Sequence, residues 1–329
     1  MHPRTALFDP EERQPPALPV CDHYAGVEAR MRKSLQLQHE LGPVFDITLD
    51  NEDGAPVGGE IEHALLIAAL LASADNRHGR VGVRLLAVDH PKFADVAEIV
   101  LQAAKAPAYL MLPKPRGLAD VQRAAAIIDA IGGEAVPLHA LVETHGALAE
   151  VQALAAHPRI ESLSFGLMDF VSAHRGAIPQ WAMTADGQFD HPLVIRAKLD
   201  IAAACHAHGK VPSHSVVTEF KDNKALAEAA DKALRLLGYT RMWSIHPDQI
   251  RTIVDAFAPT VAEVDEAIEI ITAGERAHWA PIRHRHGAQE RLHDRASYRY
   301  YWHVIERAER TSFQGGPQLP ASLRLAWFS

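Results

Sequence analysis

One feature narrows the possible folds more than any other. Short β-type runs alternate with longer helical patterns from about residue 18 onward, over roughly 260 residues. The runs are Leu18–Cys21, Val44–Leu49, Val81–Ala87, Ala108–Pro113, Leu138–Glu143, Ser162–Met168, Val211–Val217 and Met242–His246. Between them apolar residues recur at helical spacing: Phe93, Val96, Val100 and Ala103 share one face. Leu118, Val121, Ala125 and Ile128 do the same, as do Leu226, Ala230, Ala233 and Leu237. Eight strands separated by helices imply parallel pairing through βαβ crossovers. An open dinucleotide-binding sheet would carry G-x-G-x-x-G after its first strand. Here the first run ends in Cys21-Asp22-His23, so the expectation is an α/β fold closed as a (β/α)8 TIM barrel.

The flanks read differently. Residues 1–16 are polar and proline-rich and are expected to form a flexible N-terminal arm. The barrel is assigned residues 17–280, its last helix opening on the capping box Thr260–Glu263. Residues 281–329, basic and aromatic before a Gly/Pro-containing tail, are assigned to an appended lid or oligomerisation extension. Thirty-three Lys and Arg stand against 41 Asp and Glu, which argues against a nucleic-acid partner. The most apolar stretch, residues 64–72, is about half a membrane span, and the chain begins with no signal-peptide core, so no membrane partner is expected. Only Cys21 and Cys205 are present, which fits a reducing cytoplasm.

A barrel of this kind does its chemistry at the C-terminal ends of its strands, and charged residues collect there. Asp50, Asn51, Glu52 and Asp53 follow strand 2; Arg84 lies within strand 3; Lys114 follows strand 4; Glu143 ends strand 5; Gly166 to Asp169 end strand 6. Glu143 and Asp169 are candidate carboxylates of a Mg2+ site, because Mg2+ usually takes one or two carboxylates and completes its shell with water and substrate oxygens. Arg84 suits a bidentate grip on a substrate carboxylate. Each residue also has a structural reading. Asp169 would cap a helix starting at Phe170, and Glu143 would be an exposed strand-end residue. Arg84 would pair with Glu52 or Asp53, the acidic run would be a solvated turn, and Lys114 a loop lysine.

Seven stretches together carry a resemblance: D-N-E-D-G-A-P (50–56), V-R-L-L-A (83–87), M-L-P-K-P (111–115), A-L-V-E-T-H-G-A-L (140–148), H-P-R-I-E-S-L-S-F-G-L-M-D (157–169), F-K-D (220–222) and S-I-H-P-D-Q-I (244–250). They resemble, in order, the HpcH/HpaI aldolase and citrate lyase β-subunit family, in particular its malyl-CoA lyase-like branch. The resemblance implies a homotrimer or hexamer. It implies Glu143 and Asp169 as ligands of Mg2+ (or Mn2+), with Glu52 and Asp53 holding metal-bound waters. It implies Arg84 as a catalytic and substrate-binding residue, with Lys114 and Gly166 also at the substrate. Two departures stand out. Ser213-His214-Ser215 replaces an Asp-Gly at the end of strand 7, and the C-terminal lid motif is reduced to Leu292–Ala296, where Asp294 is the candidate acid/base reaching a neighbouring subunit.

The function implied is Mg2+-dependent carbon–carbon cleavage or formation of a 3-hydroxyacyl-CoA, such as citryl- or malyl-CoA, giving an acyl-CoA and a 2-oxo acid. One alternative is a CoA-independent aldolase that releases pyruvate and an aldehyde. Another is a non-catalytic binding barrel.

Overall fold

The computed structural model describes residues 2–12, 14–286, 289–312 and 319–328. Residues 14–254 form one compact unit, and residues 1–13 with 255–329 form another. In the first unit eight parallel strands close into a barrel in sequence order. They are β1 (Cys21–Ala25), β2 (Phe45–Asp50), β3 (Val81–Arg84), β4 (Leu110–Leu112), β5 (Leu138–Val142), β6 (Ile160–Phe165), β7 (Val211–His214) and β8 (Arg241–Ser244), and β8 pairs with β1. The helices, numbered along the whole chain, begin with α1 (Pro3–Leu7). The connections of the barrel carry α2 (Glu28–Leu41), α3 (Glu60–Ala72), α4 (Phe93–Leu101), α5 (Leu118–Ala130), α6 (His145–Ala149), α7 (Val151–Ala156), α8 (Leu167–Ser172), α9 (Pro192–Ala207) and α10 (Asn223–Arg235). The expected helical faces are the buried ones: Phe93, Val96 and Val100 on α4, Val121, Ala125 and Ile128 on α5, and Leu226, Ala230 and Ala233 on α10. No helix among the described residues is long and apolar enough to cross a membrane.

The first strand lies later than expected, at Cys21–Ala25 rather than Leu18–Cys21. Asp22 looked like a strand end because it is charged. It instead points into the barrel, where it accepts hydrogen bonds from Thr48 Oγ1 at 2.7 Å and Tyr109 Oη at 3.0 Å. Arg241 Nη1 donates to Asp46 Oδ2 at 2.6 Å, and Arg80 clasps the same carboxylate at 2.7 and 2.8 Å. These partners come from β1, β2 and β8 and from the residues just before β3 and β4, so they meet inside the barrel. Above this polar floor lies an apolar layer of Tyr24, Met111, Leu141, Val216 and Trp243. The charged residues at the strands' C-terminal ends form the third layer. Side chains in layers fill such a barrel, which is a packed core and not a pore.

α11 (Pro247–Phe257) follows β8, and the first unit ends within it at Val254. The second unit is mainly helical: α12 (Val261–Arg276), a hairpin of β9 (Ile282–His286) and β10 (Gln289–His293), then α13 (Arg295–Arg310) and α14 (Ala321–Phe328). Thr260 and Glu263 make the expected capping box. Two expectations need correction. The first residues are not a loose arm: α1 forms, and Leu7 and Phe8 are buried in a cluster with Ile270, Tyr298 and Trp302. Apolar anchors in a polar, proline-rich stretch account for this, since burial of Leu7 and Phe8 favours order. The compact units also divide at 254/255 and not near 280, because α12 packs its Val264, Ala267, Ile270 and Ile271 against α13.

Candidate active site

The strand-2 end is organised around Asp50. Its Oδ1 accepts the Glu52 backbone N–H and its Oδ2 the Gly54 backbone N–H, both at 2.9 Å. A Cβ at position 54 would stand 2.2 Å from Asp50 Oδ2, so this turn needs glycine. The same carboxylate receives Arg84 Nε at 2.7 Å and Nη2 at 2.5 Å, a fork-on-fork pair 3% and 9% exposed. Arg84 Nη1 lies 3.3 Å from Glu52 Oε2. Burial works against the guanidinium charge, but the Asp50 contacts outweigh it and hold Arg84 ionised. The expected bidentate grip on substrate thus falls on a guanidinium already engaged by the chain, with Nε and Nη2 on Asp50 and Nη1 beside Glu52.

Lys114 links the strand ends. It sits between Pro113 and Pro115 with φ +50°, a left-handed conformation that costs a non-glycine residue on the order of 1 kcal/mol or more. That turn aims its backbone N–H at Glu143 Oε1 (2.7 Å), while Nζ reaches Glu52 at 2.6 Å and Asp53 at 2.7 Å. Lys114 is therefore a bridge between the acidic turn and Glu143, and the loop-lysine reading fails.

Glu143, just past β5, is 3% exposed. Burial, and then the nearby Asp169 carboxylate, push its carboxyl up to about 7. Asp169 is neither at a strand end nor a cap. Helix α8 begins at Leu167 with Gly166 as its N-cap residue, which places Asp169 in the first turn. Its carboxylate makes no hydrogen bond or ion pair among the described residues. A Cβ at Gly166 would lie 2.2 Å from Glu143 Oε2, so glycine there opens the space the Glu143 carboxylate occupies. Two mutually repelling carboxylates, one buried and one uncommitted, are a donor set suited to a hard divalent cation. The residues present fit Mg2+.

The structure thus brings together Glu52, Asp53, Arg84, Lys114, Glu143, Gly166 and Asp169. Asp294 belongs to the other unit, where Oδ1 caps α13 by accepting the Ala296 and Ser297 backbone N–H groups. The changed strand-7 end has a local explanation. His214 stacks on Phe189 at 5.3 Å, and Ser215 Oγ donates to Gln188 Oε1, which also accepts from buried Lys198. Asp50 as the orienter of Arg84 was not singled out from the sequence, although polar residues at 46, 48 and 50 alternate through an otherwise apolar strand.

Comparisons with known proteins bear on the family and the fold. Residues 47–247 match the family model described as HpcH/HpaI aldolase/citrate lyase. A crystal structure of a citrate lyase from Burkholderia xenovorans LB400 shares 54% identity over 99% of both chains, with a TM-score of 0.83. The L-malyl-CoA/β-methylmalyl-CoA lyase of Cereibacter sphaeroides is 29% identical over 70% of this chain and 77% of its own. The CitE protein of Mycobacterium tuberculosis, solved with magnesium, acetoacetate and coenzyme A, shares the fold at 20% identity and a TM-score of 0.67, over 89% of this chain and 99% of its own. With its motifs assembled at one end of an eight-stranded barrel, the chain belongs to the HpcH/HpaI aldolase/citrate lyase family and is a carbon–carbon lyase.

Proposed function

We propose that the protein is a Mg2+-dependent CoA-thioester lyase. It cleaves, or in reverse forms, a 3-hydroxyacyl-CoA bearing a second carboxylate, with an acyl-CoA and a 2-oxo acid as the other side of the reaction. The observation that carries this reading is the Glu143–Asp169 pair, in which burial, and then the neighbouring Asp169, raise Glu143 to about 7 beside an oriented Arg84. The malyl-CoA lyase relative and the CitE structure with magnesium and coenzyme A support the metal and the thioester.

When bound, Mg2+ supplies Lewis acidity at the oxygen that becomes the carbonyl of the oxo acid. Glu143 and Asp169 would hold it, and Glu52 and Asp53 would hold its waters. Arg84 supplies positive charge for substrate carboxylate or enolate and is already positioned by Asp50, so little reorganisation accompanies binding. Cleavage requires a base for the substrate hydroxyl proton. The C–C bond then breaks, its electron pair passes to the thioester as an enolate, and a proton is returned to that carbon. Asp294 of a neighbouring copy in a homotrimer or hexamer is the assigned acid/base.

Calorimetric titration of oxaloacetate, glyoxylate and pyruvate, each with and without Mg2+, into wild type and Asp169→Ala tests the reading. Mg2+-dependent binding abolished by the substitution is the expected result. Metal-independent binding, or none by a folded sample, overturns it. Turnover that proceeds without CoA would move the assignment to the aldolase.

A further inference from the structure

The apolar layer beneath Arg84 contains two polar atoms that the chain itself does not use. Tyr24 near the end of β1 and Trp243 on β8 stack with centroids 4.4 Å apart and planes at 27°. Each is 8% exposed. The Tyr24 hydroxyl and Trp243 Nε1 nevertheless have no hydrogen-bond partner among the described residues. Their neighbours in the layer, Met111, Leu141 and Val216, offer no side-chain donor and no acceptor stronger than the Met111 thioether. The Ser164 hydroxyl, two residues before Gly166, is likewise buried and unpartnered. Buried donors without acceptors are rare because each forfeits its solvation. A phenylalanine would fill the Tyr24 position without that cost.

Tyr24 belongs to the active site by position. The Arg84 guanidinium lies 5.5 Å from the centroid of its ring. The phenol also stays protonated at neutral pH, since burial, followed by the Asp22 carboxylate, pushes it well above its ordinary value. It is therefore a donor and not an acceptor of charge.

We propose that the Tyr24 hydroxyl, with Trp243 Nε1 beside it, forms a donor subsite in the floor of the active site. It takes an additional oxygen acceptor of the 2-oxo acid, a second carboxylate or a hydroxyl. This rests on the oxo-acid reading above and names the class of acid within it. The physical reason is an asymmetry in recognition. A site with buried donors rejects an analogue lacking the acceptor strongly, because the donors are left unpaired, whereas an apolar pocket discriminates weakly. Oxaloacetate and pyruvate share the carboxylate and oxo group that would face Arg84 and Mg2+, and differ in that extra acceptor.

Titration of both acids with Mg2+ into wild type and Tyr24→Phe, with thermal unfolding of each protein, tests the subsite. Wild type is expected to prefer oxaloacetate by at least about tenfold. Tyr24→Phe should lose about tenfold in oxaloacetate affinity, leave pyruvate unchanged and unfold at the same or a higher temperature. Equal losses for both acids, an unchanged oxaloacetate affinity or a lowered unfolding temperature would overturn the subsite while the oxo-acid reading stands. Binding of neither acid by folded wild type would bring down both.

Discussion

At the N-terminal end of the barrel Arg241 lies between Asp46 and Asp22; at the C-terminal end Arg84 lies between Asp50 and Glu52. The ingredients are the same and the surroundings differ. Below, Arg241, Asp22 and Asp46 are fully buried, and with Arg80 two cations face two carboxylates. Above, Asp50, Glu52, Asp53, Glu143 and Asp169 face, among the described residues, the two cations Arg84 and Lys114. The lower cluster is charge-balanced and closed to ligands. The upper one carries excess negative charge and a raised carboxyl, which is stable only if a proton or a cation joins it. The comparison teaches that a buried ion network at one end of a barrel marks stability, while an unbalanced one at the other marks a binding site.

The largest effect is expected from Glu143→Gln. Removing a carboxylate from the metal site should lower metal-dependent turnover at least about a thousandfold, since several kcal/mol of charge stabilisation is lost. Without metal, the variant should be no less stable than wild type, because the repulsion with Asp169 is gone. Steady-state kinetics and thermal melts in chelator check both. A large loss of stability would erase the distinction between the two ends.

Arg241→Met probes the other end. It leaves Asp22 and Asp46 buried with one cation fewer, and breaking such a pair costs about 3–5 kcal/mol. Denaturant unfolding should show that loss. The protein that remains folded should bind Mg2+ with wild-type affinity. A specific loss of metal binding would mean that the lower network reports to the upper one.

The strand alternation made the barrel legible, because burial on both faces of parallel strands produces short apolar runs. The charged strand ends exposed Arg84, Glu143 and Asp169 for the same reason: a charge after an apolar run stands out. What stayed hidden was parity. Asp22 read as the end of the first strand, yet it lies inside the barrel, as do Asp46, Thr48 and Asp50, which follow the two-residue period of β2. Counting that period would have moved β1 to its place and singled out Asp50. The helical start of Asp169 was hidden because Gly166-Leu167-Met168 continues the apolar run of β6 into α8. The order of residues 3–7 was hidden because it depends on contacts with residues about 260 or more positions away.

The smallest effect is graded and follows from Glu143 itself. Its carboxyl sits at about 7 in the metal-free protein, above the ordinary carboxylate value, because burial and then Asp169 disfavour the anion. Between the ordinary value and pH 7 the folded metal-free protein holds a proton that the unfolded chain has released. Stability should therefore fall as pH rises through that window, the opposite of a salt-bridged carboxylate. Metal must displace the same proton, so Mg2+ affinity should rise about tenfold per pH unit up to about 7 and then level off. Calorimetric Mg2+ titrations from pH 5.5 to 8.5 read the slope directly, and Glu143→Gln should abolish it. A slope that persists in the variant would place the titrating group elsewhere. A flat wild-type profile would mean that Glu143 is already ionised without metal, and the upper end would then be as balanced as the lower.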